Sequence, residues 1–207
     1  WYRSRGLGDV YKRQPEDGLT TNNEVVNSYN TFVDNFNVEN AEAISAGSIE
    51  ALSHSSSEFI EKASGIKTRY LYDKHNCLDP NRMKPKTRPE LPDNTSILAE
   101  MGIESAKKAI ANAGITVDDI DGIILGTSHS ARNYPAIAIE IQEALGINGY
   151  AYDMLVGCSS TTFAISNAYS DIASGLASTI LVINPELTSP GNAVSYTHLR
   201  AHETCTN

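Results

Sequence analysis

Cysteine and long apolar runs are both scarce in this chain, and each shortage closes off a class of protein. Three cysteines, Cys77, Cys158 and Cys205, occur in 207 residues, too few and too widely spaced for a disulfide framework or a cysteine-built zinc site. That usage fits a reducing cytosol. No apolar run approaches the roughly 18 residues of a membrane-crossing helix. Basic residues are outnumbered, 16 against 25 acidic, for a net charge of −9. This balance argues against nucleic acid or an anionic membrane as a general partner, since either wants a basic face. His54, His75 and His129 show no close metal-ligand spacing, so no metal is expected.

The two ends do not read like the middle. Ser4 to Gln14 can be written in permitted codons whose reverse complement, in a shifted frame, spells Val194 to Glu203, with Thr204 allowed next. Opposite strands of one DNA element would then encode both flanks, which resemble translated sequencing adapter and are set aside from fold reasoning. The expected organisation is a non-native flank at 1–14, a domain at 15–193 and a non-native flank at 194–207. Setting the flanks aside removes Arg3, Arg5, Lys12, Arg13 and Arg200 but only Asp9 and Glu203, which leaves 11 basic and 23 acidic residues. Cys205 goes with them.

Along the core, Val25, Val26, Tyr29, Phe32, Val33 and Phe36 recur at helical spacing, and Glu39 to Leu52 continues as a more polar helical stretch. Ser55 to Ser57 offer an N-cap for a short helix that Gly65 ends. Ile66 to Tyr72 reads as a strand. Asp73 to Thr95 holds four prolines and five basic residues, Lys74, Arg82, Lys84, Lys86 and Arg88. It reads as a long irregular loop, either solvated or facing a phosphate-bearing ligand or an acidic protein. Ser96 to Ala113 is a helix stopped by Gly114, Gly122 to Gly126 a buried strand, and Pro135 the first residue of a helix closed by Gly146. Tyr150 to Val156, Thr162 to Ala173 and Thr179 to Ile183 then read as strand, helix and strand. Strand and helix alternate, the pattern of an α/β fold.

Cys158 stands out because it follows an apolar strand and Gly157 and opens a helix with Ser159, Ser160, Thr161 and Thr162. A thiol at a strand-to-helix turn lies over the helix N-terminus, where backbone N–H groups and the dipole favour thiolate and can receive an oxyanion. Two readings stand at this point: a nucleophile, or a small buried hydrophobe of the kind free cysteine commonly is. Asp153, inside the preceding strand, reads as a structural carboxylate rather than a partner of the thiol.

The ordered pieces Ser-Gly-Ile-Lys at 64–67, Ala113-Gly114 followed by Asp118 to Asp121, Tyr134-Pro135-Ala136, Gln142 with Leu145-Gly146, and Cys158-Ser159-Ser160 with Phe163 resemble the ketoacyl-acyl-carrier-protein synthase III family. Ser174-Gly175 and Pro185-Glu186 complete the set, and the resemblance runs from about Asn22 to Glu186. It implies the N-terminal half of a thiolase-like α/β fold, a mixed sheet with covering helices. It also implies a decarboxylative Claisen condensation in fatty acid biosynthesis. Cys158 takes an acyl group from acyl-coenzyme A, and malonyl-acyl-carrier protein then loses CO2 and attacks. Acyl-coenzyme A and the carrier protein are substrates, no cofactor is permanently bound, and the intact enzyme is a cytosolic homodimer.

The family's assisting histidine and asparagine lie in a C-terminal half that is not in this sequence, so the chain alone is expected not to condense. Phe59 matches a tryptophan that stacks on adenine in relatives, while Ala63 replaces a phosphate-binding arginine; Arg69, Lys62, Lys67 or the basic loop would then meet coenzyme A. Tyr134 and Phe163 match the acyl pocket and dimer region. The acidic helix at 38–52 and the proline-rich loop resemble the branch primed by medium-chain acyl groups. Other readings within reach are a thiolase, a hydroxymethylglutaryl-type synthase, a noncatalytic subunit of a condensing heterodimer, and a cysteine hydrolase.

Overall fold

The computed structural model describes residues 17–86, 95–130 and 133–188. Both flanks, Arg88 and Cys205 lie outside the described residues. The chain divides into two compact units, one within 17–86 and one within 95–186. Among the described residues no helix is long and apolar enough to cross a membrane.

The first unit opens with β1 (Leu19–Thr21), whose last residue caps α1 (Asn22–Glu39). Thr21 and Glu24 form a reciprocal capping box, the Glu24 N–H donating to Thr21 Oγ1 at 3.3 Å and the Thr21 N–H to Glu24 Oε2 at 2.8 Å. Val25, Val26, Tyr29 and Val33 form the buried face of α1, as the periodicity requires. The expected helix at 39–52 is instead short, α2 (Ala41–Ser45). Beyond it, two asparagines of α1 take over the backbone bonding. The Asn37 amide donates to Leu52 O and accepts from Leu52 N, both at 2.9 Å. Asn30 brackets Ser55 in the same way, at 3.1 and 2.9 Å. An extended segment so paired has no need of its own helix.

Ser56 caps α3 (Ser57–Ser64), Gly65 ends it in the left-handed region, and β2 (Thr68–Tyr70) pairs antiparallel with β1. The basic loop is less irregular than its prolines suggest. It begins with a one-turn helix, α4 (Lys74–Cys77), and turns at 79–83, where Met83, only 4% exposed, packs on Tyr29 and Val33. Asp73 accepts from the Lys86 N–H at 2.7 Å, which ties the start of the loop to residue 86.

The second unit carries α5 (Ile97–Ala113), capped by Ser96 and ended by Gly114, then β3 (Gly122–Thr127), α6 (Ile137–Leu145), β4 (Tyr150–Leu155), α7 (Ser160–Ala173) and β5 (Ile180–Ile183). The three strands form a parallel sheet in the order β4-β3-β5, with Gly122 opposite both Tyr150 and Ile180. Parallel and antiparallel pairing thus both occur, in separate sheets. Every residue of β3 is buried, as a continuous apolar run in a central parallel strand must be. Ala164 and Ala168 of α7 cover one face of Ile124. On α5, a Cβ at Gly102 would come within 2.5 Å of Ile141 on α6, so glycine permits the close approach of these helices.

Pro135 is not the first residue of α6. Ala136 is the N-cap and offers no side-chain bond; the Ile137 and Ala138 N–H groups donate to the Asp153 carboxylate of β4 at 2.7 and 2.8 Å. Asp153 is therefore a cap supplied from a neighbouring strand. Burial raises its pKa even though both N–H groups pull it down.

At the opposite edge of the sheet, Gly149 has φ of 141° and a Cβ there would lie 2.1 Å from Asp121 O. Replacing it with alanine combines strain with a backbone clash, so Gly149→Ala is expected to destabilise the chain by more than about 1 kcal/mol, read as a lower urea midpoint. In the first unit, the Lys74 ammonium and the Thr21 groups hold the Glu24 carboxyl at about 2, against an ordinary value of 4.5. A depressed folded-state value contributes stability that is present above pH 4.5 and lost as pH falls towards 2. Glu24→Gln should flatten the stability profile in that window, measured by urea unfolding at stepped pH.

Candidate active site

Because the sheet is parallel, β3, β4 and β5 all release their chains at the same edge, the usual position of sites in α/β sheets. Leu155 is the register partner of Thr127, and the chain leaves β4 through Val156 into a single 3₁₀ turn, Gly157–Ser159, that carries Cys158 and runs straight into α7. Gly157 has φ of 58°, a left-handed value that a side chain would strain. The Cys158 side chain is exposed and the Ser159 N–H is engaged by Val156 O at 3.3 Å. Cys158 is thus not a buried small hydrophobe.

Ser160, the first residue of α7, is 3% exposed. Its hydroxyl accepts from the Val156 N–H at 2.8 Å and faces Thr127 O at 2.8 Å and Gly157 O at 2.9 Å. Under it, a Cβ at Gly126 would meet the Ser160 carbonyl at 2.9 Å and Asn184 Oδ1 at 2.7 Å, so α7 rests directly on the backbone of β3.

The exits of β3 and β5 are tied by Glu186. Its carboxylate accepts from the Ser128 N–H at 3.0 Å and the Ser128 hydroxyl at 2.6 Å, and lies 3.3 Å from His129 Nδ1. Ser160 and Glu186 lie in pieces that carry the family resemblance but had no role assigned, and Ser128 and His129 lie in none; the signal they share is that each follows the end of a strand.

A family model described as "Thiolase, N-terminal domain" matches residues 93–207. The chain belongs to the thiolase family. This thiolase-family chain is 52% identical over 160 residues to a Pseudomonas aeruginosa protein named beta-ketodecanoyl-[acyl-carrier-protein] synthase, covering 77% of this chain and 46% of that protein. It is 37% identical over 138 residues to a beta-ketoacyl-[acyl-carrier-protein] synthase III of Mesorhizobium japonicum, covering 66% and 36%. Among solved structures it is similar to a 3-oxoacyl-[acyl-carrier-protein] synthase III of Aquifex aeolicus, with a TM-score of 0.58 at 25% identity over 85% of this chain and 42% of that one. The chain spans less than half the length of these relatives.

The other expected site residues of this thiolase-family chain fall in both units. Phe163 lies one turn into α7 and is exposed, as is Tyr134 before α6, at 87%. Phe59, half exposed, and Arg69 belong to the first unit. Arg69 donates to Asn22 Oδ1 at 2.7 Å, which ties β2 to the start of α1. Of the basic residues expected to meet phosphate, Lys67 pairs with Glu61 and Lys74 with Glu24. The Arg82 guanidinium folds back onto Lys84 O and Pro85 O at 2.9 and 3.2 Å. Its first role is to brace its own loop.

The two described cysteines sit in opposite environments. The Cys77 thiol is buried, donates to Tyr72 O at 3.3 Å and is pushed up to about 11, chiefly by desolvation. Iodoacetamide at pH 8 is expected to modify Cys158 at least about tenfold faster than Cys77 in the folded chain, since the thiolate is the nucleophile. Peptide mass mapping against time checks this, and equal rates would contradict it.

Proposed function

We propose that this chain is the acyl-accepting part of a ketoacyl-acyl-carrier-protein synthase III, with Cys158 as the nucleophile. The observation that carries the reading is the exposed Cys158 thiol on a tight turn at the C-terminal edge of a parallel sheet, in a chain 52% identical to a protein named for a condensing activity. The Cys158 thiolate attacks the carbonyl carbon of an acyl-coenzyme A. The carbon–sulfur bond to coenzyme A breaks, and coenzyme A leaves as a thiol after taking a proton. The acyl group stays on Cys158, and covalent catalysis has split one difficult step into two. The Cys158 N–H is the oxyanion donor assigned to this part of the enzyme, the Ser159 N–H being already engaged.

In the second step, malonyl-carrier protein loses CO2 and its carbanion attacks the acyl carbonyl, releasing a ketoacyl chain two carbons longer and regenerating the Cys158 thiolate. That second step is proposed for the intact protein, and the first is the one Cys158 carries. Similarity to a protein named a ketodecanoyl synthase supports a medium-chain primer, with Tyr134 and Phe163 assigned to the acyl chain and Phe59 and Arg69 to the coenzyme. The partners of the intact protein are the carrier protein and a second copy, in the cytosol.

Incubating the 207-residue chain with octanoyl-coenzyme A tests the first step. One octanoyl group should appear on the Cys158 peptide with release of coenzyme A, and Cys158→Ala should abolish it. Octanoyl transfer that survives Cys158→Ala, or free octanoic acid released in repeated turnovers, would refute the reading, the latter in favour of a cysteine hydrolase.

A further inference from the structure

The hydroxyl of Ser160 makes bonds that a helix-capping serine does not make. A capping serine accepts from N–H groups one turn ahead, inside its own helix. Ser160 Oγ instead accepts from the N–H of Val156, four residues behind it, and directs its single proton towards Thr127 O on β3 or Gly157 O in the turn. The three contacts enclose Cys158: Val156 and Gly157 precede it, Ser160 follows it, and Thr127 belongs to the adjacent strand. The group is buried, so leaving its hydrogen bonds unmade would cost stability. The close approach of α7 to Gly126 fixes the height of the same turn above the sheet. Thr127 is held in turn from the other side, its hydroxyl directed at His129 O at 3.3 Å while Glu186 holds Ser128.

We propose that Ser160 is a positioning residue for Cys158: its buried hydroxyl pins the turn at 156–159 to the exit of β3, so that the thiol meets an incoming thioester carbonyl in one orientation. The proposal rests on Cys158 being the nucleophile, and it separates two properties of that thiol. Alkylation by a small reagent needs only an accessible thiolate. Acyl transfer also needs the thiol and the oxyanion donor aligned on one carbonyl, and a displacement of about 1 Å can cost on the order of a hundredfold.

The experiment compares the full chain with Ser160→Ala and Ser160→Thr. For each protein it measures octanoyl transfer from octanoyl-coenzyme A, iodoacetamide alkylation of Cys158, and hydrogen exchange across 155–159. Ser160→Ala is expected to lower acyl transfer at least tenfold while alkylation stays within about threefold. Exchange should rise at 155–159 and not in β3 or α6. Ser160→Thr, which keeps the hydroxyl, is expected to recover most of the transfer.

Unchanged transfer in Ser160→Ala, or an equal fall in transfer and alkylation, would overturn the proposal. If the parent chain alkylates at Cys158 but accepts no octanoyl group, the functional reading fails by itself. Exchange then decides the positioning claim, and an unaltered 155–159 segment overturns it. If Ser160→Ala does not fold, Ser160→Gly carries the same comparison; failure of both to fold makes the serine a structural residue and overturns the proposal.

Discussion

β3 runs parallel to both of its neighbours, and the candidate site depends on that one arrangement. With β4 and β5 in the same direction and in register with it, the chain must leave all three strands at a single edge. The Cys158 turn, the Ser128 and His129 segment and Glu186 are gathered there by topology before any of their own interactions form. A strand in this position is covered on both faces, and Ile123, Ile124 and Leu125 are fully buried. Each such side chain contributes about 1.5–3 kcal/mol on removal from water. Among the described residues the scaffold under the thiol is thus the most heavily buried stretch, while the turn above it is exposed.

Polar groups close to that scaffold do local, specific work. Asp153 closes the start of α6, Ser160 closes the turn after β4, and Glu186 closes the loop after β3. Each accepts from backbone N–H groups at an element's end. A cap taken from a neighbouring strand also locks helix to sheet, so α6 and β4 are joined by charge as well as by packing.

Much of this was legible in the sequence, and the parts that were not share a cause. Ser96 and Gly114 mark the ends of α5 because capping and left-handed termination are local, and the run from Gly122 to Gly126 reads as a buried strand because its pattern is continuous. Cys158 could be singled out from its place between strand and helix. Ser160 could not be given a role, since one of its partners, Thr127, is 33 residues away. Asn30 and Asn37 were equally opaque: they look like helix-surface residues, yet their amides replace backbone pairing for 52 and 55. The polar stretch at 39–52 reads as helix by composition and loses to those side-chain bonds. Arg82 was legible as a charge but not as a brace for its own loop.

One tight turn is proposed to present both the Cys158 thiol and the backbone donor that stabilises its reaction. A crystal structure of the chain alkylated by a medium-chain chloromethyl ketone tests this most directly. A single covalent bond to Cys158 Sγ is expected, with the ketone oxygen about 3 Å from the Cys158 N–H and the turn at 156–159 unmoved on Ser160. An adduct on another residue, or a ketone oxygen pointing into solvent with the turn displaced from β3, would contradict it.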